Sequence, residues 1–221
     1  METDVQMNYQ SRKYALLNTP IEVDRHLRRV RKYLQPRATD HLLEVGCGRG
    51  FLTEQVQRVA PKTIGIDLNA EAVANAVTDR LHVMDAQQLA FSDARFDKIY
   101  SFHTIEHIPD LMRAFAEVDR VLKPGGLVLL VYPAEPIRGL YVVPTAIMLF
   151  GNPLRARDIH IHKLSPWALR PYLAKTSLRI VRSTLHLLLT PQFITVLQKD
   201  DGVIRQMPAR HTRRARVAKP V

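Results

Sequence analysis

Gly46, Gly48 and Gly50 follow the apolar run His41-Leu42-Leu43-Glu44-Val45 and precede Phe51 to Val59, a stretch that reads as helix. Glycines in that order permit a tight turn and let backbone N–H groups come close to a ligand, at a helix N-terminus that favours negative charge. Asp67 ends the next apolar run, Thr63-Ile64-Gly65-Ile66-Asp67, 21 positions beyond Gly46. A carboxylate there is placed to accept hydrogen bonds from ribose hydroxyls. Asp85 ends a third run, Leu81-His82-Val83-Met84-Asp85. As plain structure, Asp67 and Asp85 would be turn residues after strands. Glu44, an acid at a buried strand end, has no such easy structural role. The pattern fits a nucleoside-like ligand, and taken alone it suits NAD equally well.

A second group of residues could move protons. His103 and His107 lie in Phe102-His103-Thr104-Ile105-Glu106-His107, and His160 and His162 lie in Asp158-Ile159-His160-Ile161-His162-Lys163. Histidine is the side chain best matched to general-base work near pH 7, so one of the four is expected to support deprotonation of a protic acceptor. Strand-like alternation would put Asp158, His160 and His162 on one side, an orienting arrangement that could also bind a metal weakly or simply form a solvated loop edge. His107 has the alternative of capping the helix that follows. The single cysteine, Cys47, cannot form an intrachain disulfide and reads as a small residue of the glycine turn. No Cys/His cluster has the spacing of a structural zinc site, and no metal is expected.

The elements that must hold these residues alternate. Thr19-Pro20-Ile21-Glu22 has the form of a helix start, and Val23, Leu27, Val30 and Leu34 give the helix one apolar stripe, with the arginines between them facing water. Short apolar strands at 41–45, 63–67, 81–85, 96–102 and 127–131 are separated by helices at 51–59, 70–78 and 110–122. A helix from Ser165-Pro166 to about Lys175 and two strands, 178–186 and 193–198, close the chain. The expected fold is α/β: a Rossmann-like, doubly wound, seven-stranded and mostly parallel sheet with helices on both faces. Residues 1–38 form an N-terminal helical cap and 39–200 the main domain. Within it, 134–163 is an insertion, and 201–221 is a basic tail.

The net charge of +11 is unevenly spread. Residues 1–134 hold 17 basic and 17 acidic side chains, residues 135–195 hold eight against two, and residues 205–221 hold six against none. Such asymmetry means an anionic partner or a solvated tail. The apolar run Leu140 to Phe150, followed by Arg155 and Arg157, suits a lid over a hydrophobic acceptor with an anionic group, or contact with an anionic membrane surface. A buried helix or a homodimer contact is the bland alternative. The run is too short to span a bilayer, no secretory signal order is seen at the amino terminus, and a cytoplasmic protein, at most peripheral to a membrane, is expected. No sequence feature points specifically to nucleic acid.

The runs LLEVGCGRG, IGID, VMDAQQLAF, FDKIYSFHTIEHIPD and VLKPGGLVLLVYP, in that order, closely resemble the class I S-adenosylmethionine-dependent methyltransferases. The nearest likeness is to the broad small-molecule subgroup of ubiquinone-, menaquinone- and natural-product enzymes. The resemblance implies S-adenosylmethionine as cofactor and S-adenosylhomocysteine as product. It implies that Gly46, Cys47, Gly48 and Gly50 admit the cofactor, with Glu44 on the methionine side and Asp67 on the ribose. Leu68 would pack on adenine, Asp85 accept from the adenine amino group and Ala86 offer its backbone. Phe102 and His103 would border methionine and acceptor, and 134–163 would be the acceptor lid. The implied reaction is in-line methyl transfer to a small acceptor, with oxygen favoured over nitrogen or carbon. The competing readings are an RNA or protein methyltransferase, disfavoured by Ser101-Phe102-His103-Thr104 in place of an Asn/Asp-Pro-Pro-Tyr type of motif, and a non-catalytic binding module that keeps the fold.

Overall fold

The computed structural model describes residues 22–134, 160–187 and 191–202. Much of the expected cap, lid and basic tail therefore lies outside the described residues, Asp158, Arg155 and Arg157 included. The elements in chain order are α1 (Val23–Leu34), β1 (Leu42–Val45), α2 (Phe51–Gln57), β2 (Ile64–Asp67), α3 (Ala70–Ala74), β3 (Leu81–Val83) and β4 (Phe96–Phe102). A 3-10 turn (Ile105–His107) follows, then α4 (Leu111–Val121), β5 (Leu122–Pro133), α5 (Pro166–Leu173), β6 (Leu178–His186) and β7 (Gln192–Lys199). The strands form one sheet of seven in the order β3-β2-β1-β4-β5-β7-β6. Strands β1 to β5 pair in parallel, and β7 runs antiparallel to both of its neighbours.

Strand alternation divides the sheet's side chains between two cores. Leu43, Val45, Ile99, Val128 and Leu130 point to one face, where they meet Leu111, Phe115 and Val118 of α4 and Leu169 and Leu173 of α5. Leu42, Tyr100, Phe102, Leu129 and Val131 point to the other, against Leu27, Val30 and Leu34 of α1 and Leu52 and Val56 of α2. Period-2 strands carrying apolar residues on both faces are what a parallel sheet covered twice requires. Short polar side chains set the helix starts. Asn69 accepts from Ala72 N at 3.0 Å, Asp110 from Arg113 N at 3.0 Å and Ser165 from Ala168 N at 3.1 Å.

Two local readings are corrected. The strand expected at 127–131 begins earlier, because Lys123-Pro124-Gly125-Gly126 belongs to β5: Leu122 pairs with Phe96, and the ladder resumes at Leu127 opposite Lys98. The surplus residues are absorbed in a bulge, where Gly125 takes φ +74°. In α1, the arginines do not all face water. Arg29 is buried. Among the described residues, no helix is long and apolar enough to cross a membrane.

Candidate active site

The crossovers of a parallel sheet bring the carboxyl ends of β1, β2, β3 and β4 to one edge, and the expected ligand residues collect there. Beyond β1 the chain turns sharply, with Gly46 at φ +79°, Gly48 at +54° and Gly50 at +82°, all in the left-handed region. Gly46 and Cys47 both donate to Ile66 O, at 2.8 and 3.0 Å, which ties the turn to β2. Thr104 occupies the space a side chain on Gly46 would need. Gly46→Ala therefore meets both an unfavourable φ and a clash. An expected loss of about 2–3 kcal/mol is measurable by urea unfolding. Adding Thr104→Gly should return the steric part and leave about 1–2 kcal/mol of backbone cost.

Asp67 lies across this turn. Its Oδ2 accepts from Gly48 N at 2.7 Å and its Oδ1 from Asn69 N at 2.8 Å. Burial raises its pKa, and the Asn69, Gly48 and Leu68 N–H groups oppose the rise. Each oxygen keeps a further lone pair, so the carboxylate is oriented without being used up. Leu68, next to it, is 41% exposed, unusual for a leucine beside a buried strand and consistent with an uncovered platform. At the end of the next strand, Asp85 accepts from Gln87 N at 2.8 Å and from Gln87 Nε2 at 3.0 Å, with Ala86 half-buried beside it.

Glu44 lies beneath the turn, fully enclosed. Thr53 Oγ1 donates to its Oε2 at 2.5 Å and Tyr100 Oη donates to the same atom at 3.2 Å. Burial pushes its carboxyl up to about 8, against the opposing hydrogen bonds of Thr53 and Tyr100, and the Asp67 charge adds to the rise. Neither Thr53 nor Tyr100 stands out in the sequence. Only the register Glu44↔Tyr100 between β1 and β4 brings the pair together. Cys47 is buried and donates weakly to Gly48 O at 3.6 Å. Burial keeps its thiol protonated, as a motif residue rather than a nucleophile.

At the end of β4, Phe102 is covered by the ring of His26 from α1, stacked at 4.2 Å. Burial drives His26 down to about 3, so it is neutral near pH 7. His103 takes the left-handed conformation, φ +52°, with its N–H donating to Val131 O at 2.8 Å. A positive φ in a histidine is uncommon, and it turns the side chain out of the strand's alternation. His103 Nδ1 stands 3.7 Å from Oε1 of Glu106, and His107 Nε2 stands 3.9 Å from the same oxygen. The His107 and His160 rings are 5.1 Å apart. Glu106 is only 1% exposed, and neither of its oxygens has a conventional hydrogen bond. Burial opposes ionisation, but the approach of His103 and the charges of His107 and His160 hold its carboxyl down to about 2. The expectation that His107 caps the next helix is replaced, since Asp110 caps it.

The pairing of His160 with His162 is also corrected. His160 turns toward His107, whereas His162 Nε2 lies 2.8 Å from Ile108 O and its Nδ1 3.4 Å from Tyr172 Oη. With His162 N donating to Glu106 O at 3.1 Å, this histidine straps the 3-10 turn to α5. Glu106, His107 and His160 bring ligand-type atoms within 4.8 Å of one another, a grouping that could share a cation. His26 and Glu106 are absent from the expected site. Glu106 is visible in sequence only as a neighbour of His107, and His26 comes from a helix read as a plain amphipathic cap.

A family model described as a methyltransferase domain matches residues 43–130. Those residues hold the glycine turn, Asp67, Asp85 and the Phe102–His107 segment. Over those residues the chain is similar to methyltransferase domains. The chain is 32% identical over 139 residues to the demethylmenaquinone methyltransferase of Staphylococcus aureus, covering 57% of this chain and 58% of that protein. It is 32% identical over 96 residues to sterol 4-C-methyltransferase strm-1 of Caenorhabditis elegans, covering 39% and 29%. The match spans less than two thirds of either relative. In fold, the chain is similar to the [4+2]-cyclase SpnF with a TM-score of 0.65 at 20% identity, covering 81% of each chain. It is also similar to a SAM-dependent methyltransferase from Methanosarcina mazei with a TM-score of 0.59 at 22% identity, covering 78% and 97%. The Rossmann-like expectation, seven strands included, agrees with these neighbours.

Proposed function

We propose that this protein transfers a methyl group from S-adenosylmethionine to a small, hydrophobic or partly anionic acceptor, most readily at oxygen. Asp67 carries the reading: a carboxylate pre-oriented by two backbone N–H groups at the tip of β2, beside the uncovered Leu68 and one strand from Asp85. These residues fit the ribose, one face of the purine and its amino group. When bound, the cofactor supplies an electrophilic methyl on a sulfonium, and the displacement needs alignment more than covalent help. The residues of the chain then orient the nucleoside, enclose the acceptor between α1 and the ends of β4 and β5, and take a proton at an imidazole nitrogen. The basic tail and the apolar 140–150 run extend the proposal to loose contact with an anionic membrane. Sedimentation of full-length and tail-deleted protein with anionic vesicles tests it.

The decisive experiment is calorimetry with S-adenosylhomocysteine and with NAD. The nucleoside product is expected to bind and NAD not. Asp67→Ala should weaken product binding about 10-fold or more, the worth of hydrogen bonds to a charged acceptor. Binding of NAD instead would reverse the reading. Cofactor binding without transfer of label to any acceptor in a lysate extract would leave the binding-module alternative.

A further inference from the structure

Arg29 breaks the pattern of its helix. It is 8% exposed, although four of the six positions after it are exposed or half-exposed. Its Nη1 donates 3.1 Å to Gln192 Oε1, a neutral acceptor buried at the start of β7. No carboxylate among the described residues pairs with it. Glu22, the acid on the same helix face, is held by Arg25 at 3.2 Å and faces His26 at 4.0 Å. Burial, then the like charge of Arg25, lowers the pKa of Arg29, with the Glu22 carboxylate and Tyr33 opposing, and a guanidinium stays ionised near neutrality. A buried cation with five N–H donors and one neutral partner is costly, and proteins normally place an anion against it. Among the described residues, none of its nitrogens is a fully buried atom left without a partner.

Its position says what that anion is. Gln192 lies opposite Pro133 in the β5–β7 ladder, and Val131, two residues earlier, lies opposite Phe102 in the β4–β5 ladder. The guanidinium therefore reaches the same sheet edge as Phe102 and His103, displaced toward β7 and away from the nucleoside residues on β1 to β3. One turn earlier on the same face of α1, His26 lies flat on Phe102 and carries no charge near pH 7. The edge thus offers stacked aromatic surface and, next to it, one permanent cation whose hydrogen-bonded side-chain partner, Gln192, is neutral. We infer that Arg29 binds an anionic oxygen group of the methyl acceptor, of which a carboxylate is the simplest, and fixes the acceptor's orientation against His26 and Phe102. The inference rests on the small-acceptor reading above and names the residue that would select for charge.

The test uses the full chain at pH 7.5 and 0.15 M salt, with 2-naphthoate and its neutral analogue 2-naphthamide as probes, with and without S-adenosylhomocysteine. The wild type should bind the carboxylate about 10-fold more tightly than the amide. Arg29→Gln should bring that ratio to about one, and Arg29→Lys, a point charge without the planar fork, should keep part of it. Gln192→Glu gives the guanidinium an internal anion. It should raise the melting temperature and remove the preference, and it carries the test should Arg29→Gln fail to fold. A wild type with no preference, or an unchanged ratio in Arg29→Gln or Gln192→Glu, overturns the inference. A carboxylate preference in a chain that ignores S-adenosylhomocysteine overturns the methyltransferase reading and leaves Arg29 as an anion site.

Discussion

Replacing His103 with alanine should slow methyl transfer to a protic acceptor about 10²–10³-fold, while affinity for S-adenosylhomocysteine stays within about twofold. The reason lies in the buried carboxylate beside it. Glu106 is enclosed, ionised and without a conventional hydrogen bond, and its Oε1 is 3.7 Å from His103 Nδ1. Such an anion beside the ring orients the imidazole toward an entering acceptor, as an aspartate does behind a catalytic histidine. His107 shares the same oxygen at 3.9 Å, but its side chain is 14% exposed against 27% for His103, which puts His103 nearer to an entering acceptor. Glu106→Gln should lower kcat with little change in KM, because it acts through the histidine and not on the substrate. His162→Ala should mainly lower the melting temperature, since both ring nitrogens are engaged in holding the turn to α5. Chelation by EDTA should leave the rate unchanged. A chelator-sensitive rate would assign Glu106, His107 and His160 to a cation instead, and an undiminished rate in His103→Ala would remove that residue from proton transfer.

The strand and helix frame is legible in the sequence because β1, β2 and β4 are short, mainly apolar runs and because Asn69, Asp110 and Ser165 mark helix starts by their chemistry. The nucleoside residues are legible for a related reason: they sit at strand ends, so their spacing along the chain is nearly their spacing in space. What is not legible depends on pairings across elements. Glu44 meets Tyr100 only through the β1–β4 register, His26 meets Phe102 only through the docking of α1, and Arg29 meets Gln192 across 163 positions. Grouping His160 with Asp158 and His162 requires an extended segment. Residues 160–164 form no strand, and their histidines serve different neighbours. The bulge in β5 hid a strand start because Lys-Pro-Gly-Gly is stronger as a turn signal than as part of a ladder, and the sheet tolerates it only by skipping register.

Glu44 should make the fold less stable as pH rises, the reverse of the usual carboxylate. Its folded pKa of about 8 lies above the ordinary glutamate value of 4.5, because burial, with a smaller push from Asp67, outweighs the hydrogen bonds of Thr53 and Tyr100. Below about pH 4.5 the group is protonated in both states and contributes no pH dependence. Between about 4.5 and 8 the unfolded chain releases the proton while the folded chain keeps it, so stability falls by about 1.4 kcal/mol per pH unit. Above pH 8 both states are ionised, and the loss levels off at about 5 kcal/mol. Other groups also titrate, so the measurement is a difference. Urea unfolding of the wild type and of Glu44→Gln from pH 4.5 to 9 should give similar stabilities at the acid end and a variant several kcal/mol more stable at the alkaline end. Because the resemblance places this carboxyl on the methionine side of the cofactor, a bound ammonium and sulfonium would favour its ionised form. S-adenosylmethionine affinity should then rise between pH 6 and 9 in the wild type and stay nearly flat in Glu44→Gln. A stability difference that does not change with pH would mean that Glu44 is ionised in the folded protein, with a cation or water against it that the Thr53 and Tyr100 bonds do not provide.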